Sequence, residues 1–249
     1  MTPRRRSRKP GAVQPLHFYS EPLPNIDSAE LQGKLIVIEG PDAVGRSTQV
    51  AKVKAWLERQ GHAVLDTGMA RSALAGKGIQ QAKEGNTLGP ITMTLYYATD
   101  FADRLENEII PALRAGFVVL TDRYIFSLMA RAIARGEDSV WIENVAGFAL
   151  APHAVYYLRA DVQDLVQRVV VGRGAFDFWE SGMDMRFGRD MYESFVRYQT
   201  RLIRALDRMA RKYGFVILDA SKSPEQIFRE LQRHIAKLFV SSRSRRRAG

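Results

Sequence analysis

Gly40 and Gly45 stand five residues apart and run directly into Arg46, Ser47 and Thr48. This is the spacing of the phosphate-cradling pattern G-x-x-x-x-G-K-[ST], with arginine at the lysine position. Over Gly40-Pro41-Asp42-Ala43-Val44-Gly45 the backbone can turn its N–H groups inward around a phosphate chain, and the first amides of a following helix add partial positive charge. Ser47 takes the hydroxyl position that binds Mg²⁺ beside a nucleotide. Arg46 keeps the charge of the absent lysine, but its guanidinium is longer, planar and forked, so its reach toward β- and γ-phosphates differs. A plain strand-to-helix turn is the alternative, and the flanks argue against it. Leu35-Ile36-Val37-Ile38 reads as a buried strand, and Val50, Val53, Trp56 and Leu57 as one face of a helix that stops at Gly61.

A second chemical cluster is Asp122-Arg123-Tyr124. An acid and a base together after a buried strand suit a Mg²⁺-water contact beside a phosphate clamp, the alternative being a structural ion pair that closes the strand end. The elements that must position both clusters alternate between strand and helix patterns. Strands are predicted at Leu35–Glu39, Ala63–Asp66, Phe117–Leu120, Ala154–Leu158 and Phe215–Leu218. Helical stripes fall at Met191, Tyr192, Phe195, Tyr198, Leu202, Leu206 and Met209, and at Ile227, Leu231, Ile235 and Leu238. Together they predict an α/β fold, a five-stranded parallel sheet with helices on both faces, whose ligands bind at the carboxyl ends of the strands. Polar residues stand there: Gly40–Ser47, Thr67 to Arg71, Asp122-Arg123-Tyr124 and Asp219.

The chain has 249 residues, 46% of them hydrophobic, enough for one large domain. It has no cysteine, which excludes disulfides and thiolate metal sites, and its four histidines lack ligand-like spacing. A metal is therefore expected to arrive with a nucleotide. The net charge of +10 is concentrated at the ends: Arg4, Arg5, Arg6, Arg8 and Lys9 before residue 10, and Arg243, Arg245, Arg246 and Arg247 after residue 240. The body is left close to neutral, so nucleic acid is expected only weakly, through the tails, in a salt-sensitive way. The organisation predicted is a disordered basic arm over residues 1–30, a domain over 31–240 and a basic tail over 241–249. No apolar run suits a signal peptide or a membrane span, and the prolines after residue 9 oppose an amphipathic presequence, so the expected location is the cytoplasm.

Glu39-Gly40-Pro41-Asp42 with the loop, Asp122-Arg123-Tyr124 followed by Ser127, and Ile110-Pro111-Ala112-Leu113-Arg114-Ala115-Gly116 together resemble the thymidylate kinase family, over roughly residues 34–240. The resemblance implies a P-loop fold with a mobile lid, here about residues 172–189, that transfers the γ-phosphoryl of ATP to dTMP or a related monophosphate with Mg²⁺. It also implies a homodimer formed through helices. On the same basis Asp42 lies near the acceptor sugar hydroxyl, Arg123 binds the acceptor phosphate, Asp122 organises Mg²⁺ through water with Ser47, and Tyr97 stacks on the base or packs in the core. Arg173, in the lid-like Arg173-Gly174-x-x-Asp177-x-x-Glu180, neutralises charge during transfer. Three family arginines are replaced, by Gly68, Phe101 and Phe178, and Arg71, Arg104 and Arg131 are the nearby candidates to substitute for them. The alternative implied is a nucleotide-binding relative with weak or no kinase activity that serves as a sensor or interaction partner.

Overall fold

Strand β1 (Lys34–Glu39) is buried from its second residue onward because both faces of the sheet are covered, and its unbroken apolar run follows from that. The computed structural model describes residues 16–20, 22–85 and 88–246. β1 lies at the centre, with β3 (Val118–Asp122) and then β2 (Val64–Gly68) on one side, and β4 (Ala154–Arg159) and then β5 (Val216–Asp219) on the other. All four pairings are parallel. Each strand predicted from the sequence is present, with ends shifted by up to two residues. The register places Ile38 opposite Asp122 and Gly68 opposite Asp122, so the chemical residues of three strands finish on one edge.

Nine α-helices are described among these residues: α1 (Arg46–Arg59), α2 (Gly76–Gly85), α3 (Pro90–Arg104), α4 (Ile110–Arg114), α5 (Ile125–Ala134), α6 (Ser139–Val145), α7 (Val162–Gly172), α8 (Met191–Tyr213) and α9 (Pro224–Arg246). Alternation along the strands divides the core. Leu35, Val37, Val119 and Tyr157 face a cluster with α5 and one side of α8, while Ile36, Ile38, Leu120 and Tyr156 face α1 and α9. Between α3 and α4 the chain makes a wider turn at Leu105–Ile109, closed by the Ile110 amide on the Leu105 carbonyl. Pro111 follows at once and has no amide to continue the regular ladder.

The expected disordered arm is corrected for residues 16–20 and 22–30. Leu16 and Phe18 are buried in the core, Phe18 bridges Leu150, and the Tyr19 amide donates to the Ala149 carbonyl at 3.0 Å. Apolar residues at alternate positions supply the burial that the neighbouring prolines and arginines obscured. The basic cluster at Arg4–Lys9 lies outside the described residues. At the other end the boundary at residue 240 is also corrected, because α9 continues through Arg246.

Candidate active site

The glycine loop joins the end of β1 to α1, and its two glycines are required for different reasons. Gly40 has φ +156°, and a Cβ there would lie 2.8 Å from the Leu158 carbonyl oxygen. Gly45 has φ +93° and precedes the first turn of α1, a left-handed conformation that favours glycine. From outside, Arg168 of α7 donates to the Val44 carbonyl at 2.8 Å and to the Ala220 carbonyl. The loop is thus held from behind.

Arg46 is buried inside this loop. Its Nε lies 2.8 Å from Asp122 Oδ1, and its Nη1 donates to the carbonyl of Gly40 at 2.7 Å and to that of Pro41. The fork that distinguishes arginine from lysine is therefore used against the loop's own carbonyls and the β3 carboxylate. Ser47 Oγ donates to Asp122 Oδ2 at 3.2 Å. Burial opposes ionisation of Asp122, yet Arg46 and then Arg123 outweigh it and hold the carboxyl below its usual range. Ser47 and Asp122 converge as two oxygens, which fits Mg²⁺, an ion that takes few protein ligands and fills its other positions with phosphate and water. Among the described residues no cluster of three His, Cys, Asp or Glu side chains forms a separate metal site.

Asp42 is the focus of a buried network. Its Oδ1 accepts from Arg131 Nη2 at 2.7 Å and from Arg123, and its Oδ2 accepts from Gln199 Nε2 at 3.0 Å. Burial alone would raise its pKa; Arg131, Arg123 and Arg46 override that and keep it ionised far below the ordinary carboxylate range. Arg123 sits at φ +70°, which turns its side chain back toward the loop. That turn is pinned by Glu39, fully buried, which accepts from the Tyr124 amide at 2.8 Å and from Ser127 Oγ at 2.6 Å. Burial raises the Glu39 pKa.

Beside Asp42 lies a cavity lined by Met69, Lys83, Thr94, Tyr97, Arg131 and Trp179. It leaves only about 30 Å³, room for one or two water molecules. Trp179, from the segment 172–189, forms part of its wall. Trp179 is buried, and its indole Nε1 donates to the Lys83 carbonyl at 2.9 Å. Arg135 grips Asp184 at 2.8 Å and also bonds Tyr198, while Gln199 Nε2 donates to the Glu180 carbonyl at 2.8 Å. Burial, followed by the charge of Arg131, lowers the pKa of Lys83, and burial raises that of Tyr97.

Of the residues singled out from the sequence, Gly40 through Thr48, Asp122 and Arg123 meet at one edge of the sheet, and Tyr97 lines the adjoining cavity. Arg71 and Arg104 do not line it. Arg71 is half exposed and pairs with Asp66 at 3.1 Å; Arg104 is buried and pairs with Asp100 at 3.1 Å. Asp100 accepts from the amides of Ala70 and Ser72, so this pair fastens the loop after β2. Arg173 is half exposed, on Glu180 at 2.6 Å. Arg131, a candidate substitute, does line the cavity, as does Arg135. Gln199, Arg135, Lys83 and Trp179 were not singled out at all. Two of the three replacements have local causes: a Cβ at Gly68 would lie 2.7 Å from the Asp122 carbonyl, and Phe101 packs edge-on to Tyr124 with ring centroids 4.9 Å apart.

A family model described as thymidylate kinase matches residues 38–231. The chain is 30% identical over 213 residues to "Probable thymidylate kinase 2" of Saccharolobus solfataricus, covering 85% of this chain and 100% of the relative. It is 29% identical over 216 residues to "Thymidylate kinase" of Halothermothrix orenii, covering 84% and 100%, and 28% identical over 209 residues to "Probable thymidylate kinase" of Thermococcus gammatolerans, covering 80% and 94%.

Proposed function

The chain belongs to the thymidylate kinase family, and from that premise we propose that it transfers the γ-phosphoryl of ATP to dTMP, giving ADP and dTDP. The observation that carries this reading is the double membership of Asp42. Its backbone belongs to the glycine loop, and its carboxylate is held by Arg123 and by the cavity residue Arg131. Donor and acceptor sites so joined suit direct transfer between two bound nucleotides.

In this reading the loop amides bind the donor phosphates, and Arg46 joins them only by giving up its bonds to the Gly40 and Pro41 carbonyls. Ser47 and, through water, Asp122 would hold Mg²⁺, which would supply charge neutralisation on the transferred group. Arg123 aligns the acceptor phosphate. An oxygen of that phosphate forms the new bond to Pγ as the bond to the β,γ-bridging oxygen breaks, and ADP leaves with the electron pair. The acceptor oxygen is already anionic, so no general base is needed, and the side chains act by positioning and neutralising charge. Asp42 accepts from the acceptor sugar hydroxyl, Tyr97 offers a ring face to the base, and Trp179 closes the cavity to water. Arg173 reaches the transferred group only after leaving Glu180. Ile91 and Leu95, exposed one turn apart on α3, support the homodimer that the resemblance implies, which light scattering tests.

A coupled assay with dTMP, dUMP, UMP and CMP tests the substrate. The highest kcat/KM is expected for dTMP. Absence of turnover with all four while ATP still binds would overturn the kinase reading and favour a nucleotide sensor.

A further inference from the structure

The outward face of α8 is an uninterrupted ridge of positive charge. From Glu193 to the end of the helix, every exposed residue is basic: Arg197, Arg201, Arg204, Arg208, Arg211 and Lys212. Steps of four and three residues keep the five arginines on one line, about 21 Å long at 1.5 Å per residue. The residues between them are turned inward: Tyr198, Leu202, Leu206 and Met209 toward one core cluster, Phe195 and Ile203 toward the other.

The fold, among the described residues, pairs this line with acids only at its two ends. Among the described residues Arg204, Arg208 and Arg211 form no ion pair. Arg197 pairs with Glu193, Lys212 with Glu143 at 2.6 Å, and the Arg201 guanidinium lies 4.5 Å from the centroid of the Phe187 ring. Asp207, the other acid of the helix, pairs with Arg159 at 3.4 Å and accepts from Tyr157 Oη at 3.1 Å, away from the ridge. Like charges three and four residues apart destabilise a helix, so the arrangement works against α8 unless an anion lies along it.

We propose that this ridge docks the phosphodiester backbone of nucleic acid without regard to sequence. The shape fits a strand: a row one side chain wide and about 21 Å long spans roughly six phosphates at 3.4 Å of axis each. Five of the six cations are arginine, whose fork matches phosphate oxygens in pairs. A helix that lies on a lipid surface needs apolar side chains facing outward beside its cations, and between Arg197 and Lys212 none is exposed. Gln199 and Tyr198, which serve the cavity, lie on the buried side of α8, so the ridge is separate from the nucleotide site. Electrostatic balance over the whole body hid it, because the compensating acids lie elsewhere.

The test is fluorescence anisotropy of the full chain with a labelled mixed-sequence strand of about 20 nucleotides and with the corresponding duplex, in a salt series between about 50 and 200 mM. Binding is expected whose log K falls against log salt with a slope of about −3 to −5, the value for about five phosphate contacts. R204E/R208E/R211E should weaken it at least about 30-fold at the lowest salt and flatten the slope by about 2 to 3, with circular dichroism and dTMP kinase activity preserved. The milder R204Q/R211Q, which should flatten the slope by about 2, covers the case in which the triple variant does not fold. Unchanged affinity in the variants would assign binding to the basic ends and overturn the proposal. So would the absence of binding at the lowest salt, or a preference for phosphatidylserine vesicles over both nucleic acids.

Discussion

Arg131 Nη2 lies 2.7 Å from Asp42 Oδ1, and this contact couples the glycine loop to the cavity beside it. Eighty-nine residues separate the two in sequence. Arg131 thereby brings a cation to that cavity, beside Lys83 and Arg135.

Replacing Arg131 with leucine removes a charged hydrogen bond but leaves Arg123 on Asp42. Such bonds contribute about 1.5–3 kcal/mol, so KM for dTMP should rise about 10- to 150-fold while the affinity for ATP stays unchanged. Steady-state kinetics and calorimetry with ATP separate the two effects.

Arg46 spends its fork on Asp122 and on the Gly40 and Pro41 carbonyls. Lysine has one nitrogen and cannot satisfy that set, so R46K should lose stability by about 1 kcal/mol and lower kcat about tenfold. Thermal melts and initial rates measure both. A gain in kcat would instead mark the arginine as a defect in the loop.

Trp179 closes the cavity with one hydrogen bond to the Lys83 carbonyl. Trp179→Phe keeps an aromatic ring but deletes the donor. Hydrogen exchange over residues 174–188 should accelerate about fivefold, and KM for dTMP should rise, as expected from losing about 1 kcal/mol of closure. Exchange rates equal to wild type would mean that the tryptophan fills space without latching.

His153 accepts from the Leu35 amide through Nδ1 at 3.0 Å, and burial, aided by the Lys34 charge, lowers its pKa to about 4. The unfolded chain binds this proton near the ordinary pKa of about 6.5, whereas the folded chain resists it until about 4. Stability from this group is therefore complete above about pH 6.5 and declines as pH falls toward 4, by about 2 to 3 kcal/mol in all. Denaturant melts between those pH values should show the decline, and His153→Gln should flatten it.

The sequence carried the local part of this protein. Glycine spacing, four apolar residues before Glu39 and a helical stripe after Ser47 specify a strand, a phosphate loop and a helix, because each depends on neighbours within a few residues. The same holds for the five strands and for Asp122-Arg123-Tyr124 at a strand end. Only the tertiary structure decided which side chains meet. Asp42 finds Arg131 on α5 and Gln199 on α8; Arg46 finds Asp122 on β3; Trp179 finds a carbonyl on α2. Leu16 and Phe18 likewise packed where a loose arm was expected, and the arginines on the back of the apolar stripe of α8 became a ridge only once its other side was buried. The physical reason is range and direction: backbone propensity acts between near neighbours, whereas an ion pair or a latch depends on where distant elements come to lie and how their side chains point.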